Sequence, residues 1–172
     1  MMTHLNTKRL VFCALLAALS LVLLAAASLW PAGRLGFCAL AAVPVAMAVM
    51  RHGPAAGAVT WLAAGLTGLL LLPLRSVALL YLAAFGPYPL VKSFCERRRS
   101  RVIEWLLKLL FFNFVLAGFV LLLPVALGPG VDLLARPVWP FVWAGLEAVF
   151  VFYDLGLSRL FALLMDRLAR LW

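Results

Sequence analysis

Long apolar stretches, separated by short polar or proline-containing breaks, run along almost the whole chain of 172 residues. A transmembrane helix needs about 20 mostly apolar residues, within a range of about 17–25. Six stretches come close to that length and predict six spans: span 1 at about 10–30, span 2 at 35–50, span 3 at 54–72, span 4 at 76–91, span 5 at 102–123 and span 6 at 138–157. The pattern therefore predicts an all-α, polytopic membrane protein.

Spans 2 and 4 are the least regular of the six. Span 2 has sixteen residues and includes Pro44. As a helix it reaches about 24 Å, short of a hydrocarbon core of about 30 Å, so we expect it to borrow loop residues or to thin the bilayer locally. Span 4 is interrupted by the glycine and prolines of "FGPYPLVK", residues 85–92. Broken transmembrane helices often mark functional sites, but a simple helix end fits this position equally well.

Both ends of the chain combine charged and apolar residues. Lys8 and Arg9 precede the first apolar run, as in a signal peptide, but the run continues to Trp30 without a clean cleavage context, which favours a retained first span. The tail at 158–172, "SRLFALLMDRLARLW", fits an amphipathic helix at the interface or an extension of span 6. We expect residues 1–172 to form a single transmembrane domain.

The composition excludes a soluble protein. Hydrophobic residues make up 67% of the chain and charged residues 12%, against about 25% charged in a typical soluble domain. A soluble domain of about 150 residues leaves roughly a third of its surface in water, so it could not hide this many apolar side chains. A net charge of +9 would indicate nucleic-acid binding in a soluble protein. In a membrane protein it is typical of basic cytoplasmic loops, so we expect lipid and no nucleic acid as a partner.

Lysine and arginine are unevenly distributed between the two sides of the membrane. If both chain ends are cytoplasmic, the outer side carries only Arg34, Arg75 and Arg136. Because cytoplasmic loops hold the excess of basic residues in membrane proteins, the pattern predicts an N-in, C-in orientation. The inner set is Lys8, Arg9, Arg51, Lys92, Arg97, Arg98, Arg99, Arg101, Arg159, Arg167 and Arg170.

The residues needed for most enzyme chemistry are missing from the spans. The histidines, His4 and His52, both lie near membrane edges, and there is no Ser/His pair, HExxH motif or phosphate-binding loop. Cys13, Cys38 and Cys95 share no metal-like spacing. We therefore expect no enzyme activity, no metal and no cofactor.

Three ionisable residues lie inside the spans: Lys108, Glu147 and Asp154. A charged side chain is costly at this depth and often marks a functional site. Spans 5 and 6 should pack antiparallel, which places Lys108 and Asp154 at similar depth and predicts an ion pair. The same argument predicts a hydrogen bond between Asn113 and Glu147 at greater depth. These pairs either lock the two helices together, or Asn113 and Glu147 line a polar cavity. Lys108 also lies four residues after Glu104, a spacing that predicts a helix-surface ion pair.

Aromatic and basic residues gather near the predicted outer side. Tryptophan at these positions fits an aromatic belt at the membrane interface. The alternative is an outward-facing pocket for a small planar or anionic solute. The candidate substrate-binding residues are Trp30, Arg34, Arg75, Tyr81, Asn113, Trp139, Trp143 and Glu147, with Arg136 nearby on the same side.

Small residues recur at helical spacing in spans 1 and 3. Ala14 and Ala18 form an AxxxA motif, and span 3 carries a stripe of Gly57, Thr60, Ala64 and Gly68. Such stripes let helix backbones approach closely. They serve either packing inside the protein or docking onto another membrane protein.

The architecture resembles the substrate-specific (S) components of energy-coupling factor transporters, which are bacterial vitamin and micronutrient importers. The resemblance covers the whole chain: about six spans in under 200 residues, both ends cytoplasmic, and a first helix opening "KRLVFCALLAALSLVL". It implies capture of a small solute from outside, at the plasma membrane, with a transmembrane T component and two cytoplasmic ATPases as partners. In that family an AxxxA of the first helix faces the T component, and the matching residues here are Ala14 and Ala18.

Two further expectations accompany this interpretation. The arginines of "CERRRSRVIE", Arg97, Arg98 and Arg99, would meet an acidic cytoplasmic surface if a partner docks there. The alternative function is a non-transporting scaffold of the cell envelope, similar to the MreD type of cell-shape protein. A transporter subunit needs an enclosed polar and aromatic cavity, whereas a scaffold does not.

Overall fold

The structure, a computed structural model, describes residues 2–96, 101–127 and 138–169, and the regular structure in these ranges is helical. A turn of 3-10 helix at Pro31–Gly33 precedes the second helix, and a π-helix at Tyr81–Phe85 follows the fourth. The α-helices are α1 (Met2–Leu29), α2 (Arg34–His52), α3 (Pro54–Leu71), α4 (Arg75–Leu80), α5 (Tyr88–Cys95), α6 (Arg101–Leu127) and α7 (Trp139–Ala169).

Within the described ranges, six helical segments are long and apolar enough to cross a membrane. Each coincides with one predicted span, so the expectation of an all-helical chain with six such segments is confirmed. The N-in, C-in orientation and the single domain stay predictions. The segments are Thr7–Leu29, Pro31–His52, Pro54–Leu71, Arg75–Cys95, Arg101–Leu121 and Trp139–Leu160.

Span 2 is longer than the sequence pattern indicated. Helical structure begins at Pro31, through the 3-10 turn, and ends at His52, which makes 22 residues. At about 1.5 Å per residue this segment reaches about 33 Å, enough for a hydrocarbon core of about 30 Å. The borrowed residues come mainly from the loop after Trp30, where Pro31 has the backbone angle that starts a helix.

The chain divides into two compact units, one up to Lys108 and the other from Leu109 onward. In the first unit α1, α2 and α3 pack against one another, and α5 packs on α2 and α3. Its core is built largely from small side chains, among which Ala27, Cys38, Ala41 and Ala64 are almost completely buried. Small side chains allow close helix approach where lipid supplies no hydrophobic driving force.

The small-residue stripe of α3 packs inside the protein. Gly57, Thr60, Ala64 and Gly68 are all buried, which confirms the packing interpretation for span 3. A side chain added at Gly57 would overlap Val49 of α2. Glycine at this position therefore permits the contact between the two helices.

Pro44 lies inside α2 and is buried. Proline has no N–H, so it leaves the carbonyl of Leu40 without its helical donor. On the following residue, the Ala41 carbonyl accepts a hydrogen bond of 2.9 Å from the hydroxyl of Ser20 on α1. Serine on a neighbouring helix often compensates a proline-disturbed turn in membranes, and this bond also ties α1 to α2.

Span 4 is broken, as the sequence predicted, but the distortion begins earlier. The π-helix starts at Tyr81, and the Gly86 N–H donates to the Tyr81 carbonyl across five residues at 2.8 Å. Pro87 then interrupts the helix, and Tyr88 begins α5. A side chain at position 86 would overlap the indole of Trp61, so only glycine allows α3 to approach the break.

In the second unit, α6 from Leu109 onward and α7 lie against each other. The rings of Phe112 and Phe150 stack with centroids 4.5 Å apart. Few of the described apolar side chains of these helices are buried, and several are exposed, including Phe114 (78%) and Phe152 (75%). Exposed rings of this kind suit lipid. α7 continues without a break to Ala169, so the backbone of the predicted tail, as far as it is described, extends span 6.

Candidate functional site

Three of the predicted binding residues meet in the second unit. The Nδ2 of Asn113 on α6 donates to Oε1 of Glu147 on α7 at 3.0 Å. The Nε1 of Trp143 on α7 donates to Oδ1 of Asn113 at 2.9 Å. The first of these bonds confirms the predicted Asn113–Glu147 pair. We call Asn113, Trp143 and Glu147 the polar triad.

Asn113 has little hydrogen-bonding capacity left for a ligand. Its Nδ2 also donates to the Leu109 carbonyl at 3.0 Å, so both amide hydrogens are in use. Its Oδ1 accepts from Trp143. Asn113 therefore positions the other two side chains.

Glu147 retains acceptor capacity. A carboxylate has about four lone-pair sites, and the hydrogen bond that the structure gives Glu147 within the described ranges is the one from Asn113. The side chain is neither buried nor fully exposed. An acceptor-only group in this state can bind a group that donates hydrogen.

Two tryptophans lie one and two turns from this carboxylate along α7. Trp143 precedes Glu147 by four residues, which places both on one helix face. The ring of Trp139 meets that of Trp143 edge to face, with centroids 5.8 Å apart. Glu147 lies eight residues after Trp139, about 12 Å along the axis, so the carboxylate is well inside the candidate span Trp139–Leu160.

The remaining predicted binding residues belong to the first unit. Trp30 is 66% exposed, and its carbonyl accepts from Gly33 in the turn before α2. Arg34 is partly buried, and its Nε has no hydrogen-bond partner among the described residues. Arg75 is exposed at the start of α4, whereas Tyr81 is fully buried in the helix core. A role for these four side chains in binding stays a prediction, and Arg136 lies outside the described residues.

Lys92, Glu96, Glu104 and Lys108 form a lysine and glutamate cluster at the end of α5 and the start of α6. It includes the predicted pair of Glu104 and Lys108. Lys108 Nζ lies 2.7 Å from Glu104 Oε1, which confirms the expected i,i+4 pair. The expected location on the helix surface is wrong, because the Lys108 side chain is buried. Lys108 Nζ also lies 3.6 Å from Glu96 Oε1, and Lys92 Nζ lies 2.9 Å from the same oxygen. Both lysine side chains are only 2% exposed. The contribution of Lys92 and Glu96 was not predicted, although their i,i+4 spacing could have indicated it.

Lys108 and Asp154 are each 2% exposed. Buried charges in proteins are paired, so the burial agrees with a need for partners at both positions. The specific Lys108–Asp154 ion pair stays a prediction.

The predicted docking residues have different outcomes. Ala14 and Ala18 are exposed on α1, so the AxxxA motif is open to contact from outside the chain. Arg97, Arg98 and Arg99 lie outside the described residues. Docking at either place stays a prediction.

Comparison of the chain with protein-family models, with curated proteins and with solved structures finds no match. The likeness to S components therefore rests on chain length, span count and the first helix.

Proposed function

We propose that the protein is the solute-binding membrane subunit of a bacterial importer of the energy-coupling factor type. The observation that carries the proposal is the polar triad, in which Asn113 fixes a half-buried Glu147 beside Trp143. Ionisable residues within transmembrane helices commonly mark solute or ion pathways. The Glu147 carboxylate is held in place by Asn113, whose two amide hydrogens are already used in hydrogen bonds. A carboxylate fixed in this way is suited to recognising a ligand.

The chemistry of the triad favours a solute that carries nitrogen. Asn113 has no free amide hydrogen, and an ionised Glu147 can only accept hydrogen bonds. The solute must therefore supply an N–H or another donor to the carboxylate. Among small molecules, an amine, amidine or protonated heterocycle meets this requirement best.

The aromatic residues beside the carboxylate support the same class of solute. Trp143 lies one helical turn before Glu147 on the same face of α7, and the Trp139 ring meets the Trp143 ring edge to face. Tryptophan is the best partner for a cation placed over an aromatic face, worth about 0.5–2 kcal/mol. A planar, positively charged solute could use the rings and the carboxylate together. This sharpens the expectation from sequence, which allowed a planar or an anionic solute.

The proposal is tested by the small molecules that the protein retains. The tagged protein is purified from its own host in mild detergent, denatured, and its extract analysed by mass spectrometry. The comparison uses Glu147→Gln, which keeps the shape of the side chain but removes its charge. Glu104→Gln is the matched control, because it removes a carboxylate from α6 that is not part of the triad.

We expect wild type and Glu104→Gln to release the same nitrogen-containing compound in near-stoichiometric amount. Glu147→Gln should release at least about tenfold less, since loss of one charged hydrogen bond costs about 1.5–3 kcal/mol. If wild type retains no compound and no donor-bearing solute restores binding, the solute-binding function is wrong. The scaffold function would then be the better account.

A further inference from the structure

A groove of about 360 Å³ lies between the third and fourth turns of α1 and the first turns of α3. It is partly open, and its walls are apolar except at one end. The lining residues are Arg9, Leu10, Cys13, Ala55, Ala56 and Val59. None of these lining residues belongs to the polar triad or to the lysine and glutamate cluster.

Arg9 supplies the polar end and is held in place. Its Nη2 donates to the carbonyl of His52, the last residue of α2, at 2.9 Å. Within the described ranges this is the hydrogen bond that Arg9 makes, and a guanidinium has five N–H donors. The other donors are available to an anion.

Further basic groups surround this position. The guanidinium carbon of Arg51 lies 4.9 Å from the centroid of the Phe12 ring. The His52 ring meets the same phenyl group edge to face at 5.3 Å, and Lys8 is exposed beside Arg9. The sequence contains no aspartate or glutamate before Glu96. The first three spans therefore supply no carboxylate of their own to balance this charge.

The position of the groove along the helices matches the structure of a lipid. Arg9 is the third residue of the candidate span Thr7–Leu29, and Ala55 is the second of Pro54–Leu71. Lipid phosphates lie at this edge of the hydrocarbon. Cys13 and Val59 lie four residues further in, about 6 Å deeper, where an acyl chain would run.

We propose that this groove binds one anionic phospholipid. Its phosphate accepts hydrogen bonds from Arg9, and one acyl chain lies along Leu10, Cys13 and Val59. Basic pockets between transmembrane helices bind anionic head groups in this way. In the predicted orientation the site faces the cytoplasmic leaflet.

The test is a native mass-spectrometry titration of the purified protein with phosphatidylglycerol and, separately, with phosphatidylcholine. Arg9→Gln removes the charge, and Arg9→Lys keeps it. Ala55→Phe fills the groove from an exposed position. Arg101→Gln is the control, because it removes an exposed basic residue elsewhere on the same predicted side.

We expect wild type to bind one phosphatidylglycerol in preference to phosphatidylcholine. Arg9→Gln should weaken that binding at least about fivefold, the effect of about 1 kcal/mol per basic residue at the membrane surface. Ala55→Phe should weaken it similarly, whereas Arg9→Lys and Arg101→Gln should stay close to wild type.

Three results would overturn the proposal. The first is equal binding of both lipids by wild type. The second is that Arg9→Gln and Ala55→Phe behave like the Arg101→Gln control. The third is displacement of the lipid by inorganic phosphate, which would indicate a site for a free anion. If Arg9→Gln does not fold, the wild-type lipid preference and Ala55→Phe still decide the question.

Discussion

At the scale of single residues, the first unit keeps two lysine ammonium groups almost out of contact with solvent. Lys92 and Lys108 share one oxygen of Glu96, and Lys108 also meets Glu104. Glu96 itself is 45% exposed. The cluster thus joins the end of α5 to the start of α6 through a carboxylate that water can reach.

Glu96→Gln should lower the free energy of unfolding by about 1–2 kcal/mol. A buried ammonium that loses its carboxylate costs more than this, but solvent screening at the exposed Glu96 reduces the effect. Thermal unfolding in detergent measures the change, with Arg101→Gln as the control. An unchanged midpoint would show that Lys92 and Lys108 are satisfied without Glu96.

A double-mutant cycle tests the predicted pair of Lys108 and Asp154. Lys108→Met should destabilise the protein by about 3–5 kcal/mol, because it removes the predicted partner of the buried Asp154. Asp154→Leu should cost less, because Lys108 keeps its contacts with Glu96 and Glu104. The double variant should recover part of that loss. If the two effects simply add, the side chains do not interact and the prediction is wrong.

At the scale of helices, glycine at position 86 lets the Trp61 indole of α3 pack against the break in span 4. Gly86→Ala should destabilise the protein by about 1–3 kcal/mol, since overpacking forces the ring to move. Gly118→Ala on α6 is the matched control, because a methyl group there meets no atom within 4 Å. The control should be neutral or slightly stabilising.

Thermal unfolding of the two variants in the same detergent makes the comparison. If adding Trp61→Leu restores the thermal stability lost in Gly86→Ala, the contact between position 86 and the indole is supported directly. Equal midpoints for Gly86→Ala and Gly118→Ala would contradict it.

The spans were predictable because length and apolar content decide whether a helix can cross a bilayer. The start of span 2 was missed because Pro31 and Gly33 resemble a loop in sequence, although Pro31 starts the 3-10 turn. The π-helix from Tyr81 was also missed. Only its cause, Gly86 followed by Pro87, is visible in the sequence.

Part of the candidate site was predictable from the packing of consecutive helices. Antiparallel packing of consecutive helices and equal depth were enough to pair Asn113 with Glu147. The bond from Trp143 to Asn113 was missed, although Trp143 lies one turn from Glu147. The groove at Arg9 could not be predicted, because it depends on how α1 and α3 pack.

At the scale of the whole molecule, orientation decides which leaflet and which compartment each site faces. The three native cysteines are all buried, so they should add little background to labelling with a membrane-impermeant maleimide. In intact cells Ser76→Cys should react from outside. Thr7→Cys should react only after the membrane is made permeable. The opposite pattern would reverse the N-in, C-in prediction.

Capture of a solute for an importer is tested by native mass spectrometry of the complex isolated from the host membrane. We expect an assembly of this protein with one further membrane protein and two ATPases. We also expect a small nitrogen-containing molecule on this subunit, which Glu147→Gln no longer holds. A protein that is isolated without ATPases and without a bound solute, at full occupancy of its lipid groove, would contradict it.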